Sequence, residues 1–205
     1  MKMIRTCSLM AGLFLILVLV GCFGGKSPSV EYYHLASIEQ IDPGAVATAQ
    51  LEITLGVGPV TVPDYLKKPQ IATRQGENRY QFDDFHRWAG VIEKDLASVV
   101  GNNLGFLLGT DRVIFFPWIH SFKPDYRVVI EVIQFDSNLN GDAVLSARWA
   151  VSDLSGKEIL TSGKSDLRQV LENSSYEALV NAESRVLAEL SREIAVEVRA
   201  LATQK

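Results

Sequence analysis

The chain has 205 residues, 47% of them hydrophobic and 21% charged, with two cysteines and a formal charge of −4. That length suits one globular domain, and the composition excludes a disordered tail, a collagen-like rod and a cysteine-stapled miniprotein.

The apolar residues are unevenly spread. Residues 9–20 are apolar apart from Gly12, and they follow Lys2 and Arg5 with no acidic residue before them. A basic start and an apolar run of about a dozen residues fit a secretory signal, and the run is too short to span ~30 Å of hydrocarbon comfortably. It ends in Leu19-Val20-Gly21-Cys22, which resembles the bacterial lipoprotein box. That resemblance implies acylation of the Cys22 sulfur and cleavage before it. Residues 1–21 then form a signal peptide, and residues 22–30 a lipidated cysteine with a flexible tether that reaches at most ~25 Å. Cys7 leaves with the signal, so the mature chain can form no internal disulfide. Loss of Lys2 and Arg5 leaves 18 basic against 24 acidic residues, a net −6, which argues against binding nucleic acid or anionic headgroups by bulk charge. Membrane attachment then falls to lipid: one acyl chain anchors marginally, several effectively permanently. In lipoproteins an Asp after the cysteine tends to retain the protein at the inner membrane, and Phe23 here points to the outer one.

Residues 31–205 read as a single α+β domain, an antiparallel sheet with two main helices packed on it. Residues 31–35 form a short strand. Leu51, Ile53, Leu55 and Val57 alternate with Glu52, Thr54, Gly56 and Gly58, the period of a strand with one buried face. Residues 71–74 and 79–82 make a hairpin around Gln75-Gly76-Glu77-Asn78. From Trp88 the spacing turns helical, with Trp88, Val91, Ile92, Leu96, Val99, Val100, Leu104, Leu107 and Leu108 on one face and Gly109 as the stop. A strand follows over 112–118. Residues 126–135 then bury Tyr126, Val128, Ile130 and Val132, while after Asn140-Gly141 the residues Leu145, Ala147, Trp149 and Val151 define a half-buried strand. Ser155-Gly156 turns it into residues 158–162, completing an antiparallel meander. Residues 175–202 form a long helix with the stripe Leu179, Ala182, Val186, Leu187, Leu190, Ile194, Val198 and Leu201.

Motifs for chemistry fail on their spacing. Gly25-Lys26-Ser27 and Gly163-Lys164-Ser165 lack the upstream glycine of a phosphate loop, since Val20 and Glu158 occupy its place. Gly56-Val57-Gly58 has Thr61 where a dinucleotide fingerprint has its third glycine. His34, His86 and His120 show no ligand spacing, so neither a metal nor a cofactor is expected. There is no Gly-x-Ser-x-Gly elbow, and Cys22 is expected to be blocked by lipid. Asp83-Asp84 is placed before the first long helix, where negative charge favours the positive end of its dipole. Asn173-Ser174-Ser175 reads as loop and N-cap of the last helix. What remains is aromatic: Tyr32, Tyr33, Tyr65, Trp88, Phe115, Phe116, Trp118 and Trp149 either line a groove or fill the core.

The order of residues after the lipoprotein box carries a wider resemblance. Tyr32-Tyr33-x-Leu35, Gly56-Val57-Gly58-Pro59-Val60, Pro63-x-Tyr65-Leu66, Pro69-Gln70-Ile71, Thr73-Arg74, Arg87-Trp88-Ala89, Pro117-Trp118, Phe135, Trp149 and a helical C-terminus follow one another. This order is similar to that of the ABC-type transport auxiliary lipoproteins, the paraquat-inducible protein C group. The chain has Lys67 where that family often has Asp, and Gly90-Val91 where Glu-Pro often follows Arg-Trp-Ala, so roles at those positions do not transfer.

The resemblance implies an α+β fold and a non-catalytic periplasmic subunit anchored at the outer membrane. Its implied partners are an MCE-domain protein that bridges the envelope and that protein's membrane permease, with phospholipid as cargo and a homo-oligomeric ring as a compatible assembly. An alternative role is a periplasmic lipid-binding carrier that encloses acyl chains itself. The candidate partner or lipid surface comprises Tyr65, Lys67, Lys68, Trp88 and Trp118. It centres on residues 59–69, where prolines hold the loop open and two lysines flank a tyrosine.

Overall fold

The computed structural model describes residues 28–47, 50–118 and 123–204. The signal peptide, Cys22 and His120 lie outside the described residues. In chain order the elements are β1 (Glu31–Tyr33), α1 (Ile38–Ile41), β2 (Leu55–Thr61), a 3₁₀ turn (Asp64–Lys67), β3 (Gln70–Arg74), β4 (Tyr80–Trp88), α2 (Ile92–Leu108), β5 (Val113–Phe115), β6 (Tyr126–Ser137), β7 (Asp142–Asp153), β8 (Ile159–Val170) and α3 (Tyr176–Ala202). The fold is α+β in a single domain: one open eight-stranded sheet with the two long helices on one face.

The branch point is β6. Along one edge it pairs antiparallel with β7 from Tyr126↔Asp153 to Ser137↔Ala143. Along the other it pairs parallel with β2, from Leu55↔Tyr126 to Thr61↔Glu131, and meets β3 at Thr73↔Ser137. Thus β2 and β3 lie end to end beside one long strand. The meander β6-β7-β8 and the hairpin β3-β4 are antiparallel, as their short turns require. Parallel pairs join β1 to β4 and β5 to β2, both reached by long connections.

Helix α3 lies over β6, β7 and β8, and α2 over β2 and β5, with the helices in contact along the core. The stripe Leu179, Ala182, Val186, Leu187, Leu190, Ile194 and Val198 is buried; Leu201 packs at the margin. Each fully buried aliphatic side chain contributes about 1.5–3 kcal/mol by leaving water. Ser175 caps α3, its Oγ accepting from Ala178 N at 3.1 Å, and Gly109 ends α2 in a left-handed conformation at φ 63°.

Local expectations change at several elements, beginning with the strand read over residues 51–57, which runs over Leu55–Thr61 instead. Trp88 does not open α2: it is the last residue of β4, paired with Tyr33 and donating its N–H to Pro69 O at 2.8 Å. Trp88, Val91 and Ile92 mimic helical spacing, but strand pairing satisfies the backbone through Trp88. The helix begins at Ile92, with Val91 as its N-cap and 56% exposed. Asp83 and Asp84 therefore lie within β4, where Asp83 Oδ1 accepts from Phe85 N and Asp84 Oδ1 from Gln70 Nε2, both at 2.8 Å. Finally, the strand expected over 112–118 shortens to Val113–Phe115, and the one expected over 158–162 lengthens to Val170.

Candidate docking surface

The loop after β2 turns on Pro63, enters the 3₁₀ turn and leads into β3. Tyr65 is half-buried in that turn. Its hydroxyl accepts from Phe135 N at 3.1 Å and donates to Asp136 Oδ2 at 3.2 Å. Tyr80 stacks on it, with ring centroids 4.5 Å apart, and donates to the same carboxylate oxygen at 3.0 Å. Arg74 Nε approaches Asp136 Oδ1 at 3.1 Å, and Gln134 Nε2 donates to that oxygen. Asp136 is 0% exposed, so this set of donors is what makes its burial tolerable. Burial and the Asp136 charge raise both tyrosine hydroxyls above their ordinary pKa, Tyr65 the more strongly although the hydrogen bond from Phe135 opposes its shift.

Next to this network on β6, Ser137 Oγ donates to Glu183 Oε1 at 2.9 Å. Glu183 is fully buried on α3, and desolvation pushes its carboxyl up to about 8 against the Ser137 hydrogen bond, with the Asp136 charge adding to the rise. One carboxyl of the pair of sites therefore sits beside a guanidinium, and the other keeps its proton at neutral pH. The arrangement ties the loop, β3, β4, β6 and α3 together.

The five expected surface residues do not form one patch. Lys67 is exposed and pairs with exposed Asp64 at 2.6 Å, a contact of little energetic weight. Lys68 lies 4.3 Å from the Phe82 ring centroid. These two lysines beside half-buried Tyr65 make up the loop surface. Trp88 is 5% exposed and belongs to the core, so a surface role does not extend to it. Trp118 is half-buried near the start of β2, where a Cβ on Gly56 would come within 2.9 Å of its ring. Phe116 meets Trp118 edge to face at 5.7 Å, and Phe116 is 51% exposed. Among the other aromatics, Trp149 is buried and Tyr32 and Phe115 are exposed.

Sequence reasoning passed over Arg74, Tyr80, Asp136 and Glu183. The signal was present for Glu183, a charged residue one position from Ala182 within an otherwise apolar stripe. The glycines and Gly-Lys-Ser tripeptide find their reason in packing. Trp149 Nε1 donates to Ser165 Oγ at 3.0 Å, and a Cβ on Gly163 would come within 2.5 Å of the Trp149 ring. Gly58 adopts φ 107°, open to glycine alone at low cost. Of the histidines, His86 stacks on Tyr176 at 3.8 Å and His34 Nδ1 lies 3.0 Å from Leu35 O. Among the described residues no cluster of three or more His, Cys, Asp or Glu side chains is placed to hold a metal, and no helix is long and apolar enough to cross a membrane.

The fold has solved counterparts. Protein XCC0632 from Xanthomonas campestris superposes with a TM-score of 0.68 at 15% identity, covering 85% of this chain and 97% of that one. An uncharacterized protein superposes with a TM-score of 0.66 at 21% identity, covering 83% and 99%. The chain has no match among curated proteins. At these identities the structures speak for the fold alone. The sequence itself matches the family model described as "ABC-type transport auxiliary lipoprotein component" over residues 33–195, nearly the whole described domain, and the chain is a member of that family.

Proposed function

We propose that this protein is a non-catalytic docking subunit of an MCE-type lipid transport system, held at the periplasmic face of the outer membrane by acyl chains on Cys22. The carrying observation is a coincidence of two independent signals. The lipoprotein box ends at Cys22, and the family match begins at residue 33, so an anchor precedes a transport-auxiliary domain by one short tether. A disulfide-free acidic mature chain with lysines displayed on a braced loop suits attachment by lipid and recognition by surface contacts. The loop of residues 59–69, with Lys67 and Lys68 outermost, is the proposed face toward the transport machinery. Association of several copies around the end of a lipid-conducting tube is compatible with this placement.

The test combines anchoring and partnership. Mass spectrometry of the native protein should find Cys22 at the N-terminus with fatty acid attached, and Cys22→Ser should move the protein from outer-membrane to soluble fractions. Cross-linking in intact cells should capture an MCE-domain protein. An N-terminus elsewhere without fatty acid would defeat the anchor. Phospholipid co-purifying with the isolated protein, with no MCE partner captured, would replace docking by the carrier role.

A further inference from the structure

We infer that the free edge of β8 and the adjoining face of α3 form a groove that takes an extended, acidic strand of a partner polypeptide. Among the described residues β8 pairs only with β7, so one edge of a twelve-residue strand has no neighbour in the sheet. Such an edge presents a row of backbone donors and acceptors that another strand can complete. A cavity of about 520 Å³ adjoins it near its C-terminal end. Its wall includes the consecutive residues Leu167, Arg168 and Gln169, whose side chains alternate between the two faces of the sheet. A cavity touching all three meets the strand edge-on rather than from one face.

The opposite wall is helical. Arg185, Ala188, Glu189 and Arg192 fall on one side of α3, and Ile41 at the end of α1 closes the groove from above. Half-buried Leu167 and Ile41 give it apolar surface, over buried Val186 and Ala188. The charge is supplied by arginine: Arg168, Arg185 and Arg192 all line the cavity, against Asp42 and Glu189, on a chain whose own balance is acidic. Their existing contacts leave donors uncommitted. Arg168 meets Asp142 at 2.9 Å and Arg192 meets Glu189 at 3.1 Å through one nitrogen each, while Arg185 lies 3.8 Å from Glu172, too far for a hydrogen bond. Two turns separate Arg185 from Arg192, about 10 Å along the helix. Flexible arginines at that spacing reach carboxylates two residues apart on an extended strand, about 7 Å. The occupant thus pairs its backbone with β8, lays small apolar side chains on the floor and turns acidic side chains toward α3. The groove is separate from the loop of residues 59–69, and the inference does not depend on the lipid anchor or on which transporter is served.

The test uses the full-length protein in detergent and a short acetylated peptide alternating valine and glutamate. Binding is followed by fluorescence anisotropy and by amide hydrogen exchange. The peptide should slow exchange within residues 159–170. Affinity should fall at least about tenfold when lysine replaces glutamate, when every peptide amide is N-methylated, and in the Arg185→Glu/Arg192→Glu protein. Arg185→Gln/Arg192→Gln, which adds no repulsion against Glu172 and Glu189, should lose affinity in the same direction and guards against misfolding of the reversal. Unchanged exchange along β8 at about 1 mM acidic peptide overturns the proposal. So does equal binding by wild type and both variants. An oligomer that dissociates on the charge changes, with β8 exchange accelerating as it does so, assigns the groove to a second copy and also overturns it.

Discussion

The Ser137 hydroxyl on β6 donates to Glu183 Oε1 on α3 at 2.9 Å, while the other carboxyl oxygen of Glu183 is buried with no partner among the described residues. A single hydrogen bond does not replace the hydration of a carboxylate, so the acid is held protonated, its pKa pushed up to about 8.

This makes stability fall with rising pH. Between the ordinary glutamate value of 4.5 and about 8 the folded chain keeps a proton that the unfolded chain has released. The stabilisation is present in full below the lower value, is lost progressively across that window and levels off above the upper one, with a slope of at most roughly 1.4 kcal/mol per pH unit. Glu183→Gln should remove this part of the slope and leave the protein more stable than wild type near pH 8. Urea denaturation at several pH values measures both; identical pH profiles for the two proteins contradict the buried neutral acid.

Tyr65→Phe should cost about 1–3 kcal/mol, because it removes a donor from fully buried Asp136 and an acceptor from the Phe135 amide while preserving the ring stack on Tyr80. The loss should be accompanied by faster amide exchange at residues 59–69. Exchange unchanged at the loop would mean that the hydroxyl does not brace it.

Gly163→Ala should destabilise by about 1–3 kcal/mol through overpacking, since the added methyl meets the buried Trp149 ring. Combining it with Trp149→Phe should cost less than the sum of the two single changes, because the smaller ring vacates the space. Calorimetric melting of the four proteins decides this, and strict additivity would place the clash elsewhere.

Much of the architecture is legible in the residue pattern. The half-buried alternation of Leu145, Ala147, Trp149 and Val151 and the stripe on α3 each report one buried face by a local period. Ser175 and Gly109 mark helix ends through chemistry that acts within one turn. Trp88 shows where this fails: its spacing to Val91 and Ile92 is helical, yet pairing with Tyr33, far away in sequence, keeps it in a strand. The loop of residues 59–69 was legible as a loop through its prolines. The bracing of that loop was not, because Tyr65 and Asp136 are joined by the way β3 and β6 meet, and no local period records such a meeting.

The sequence alone carried the α+β class and, through the order of its residues, membership in the auxiliary lipoprotein family; the secretory signal and lipoprotein box are expectations that rest on the same local order. Only the tertiary structure decided that Trp88 is core, that Asp136 and Glu183 are both buried, with desolvation pushing the Glu183 carboxyl up, and that β8 carries an open edge near α3. Burial, charge state and edge exposure belong to the packed assembly of distant segments, and the same residues in another packing would have none of them.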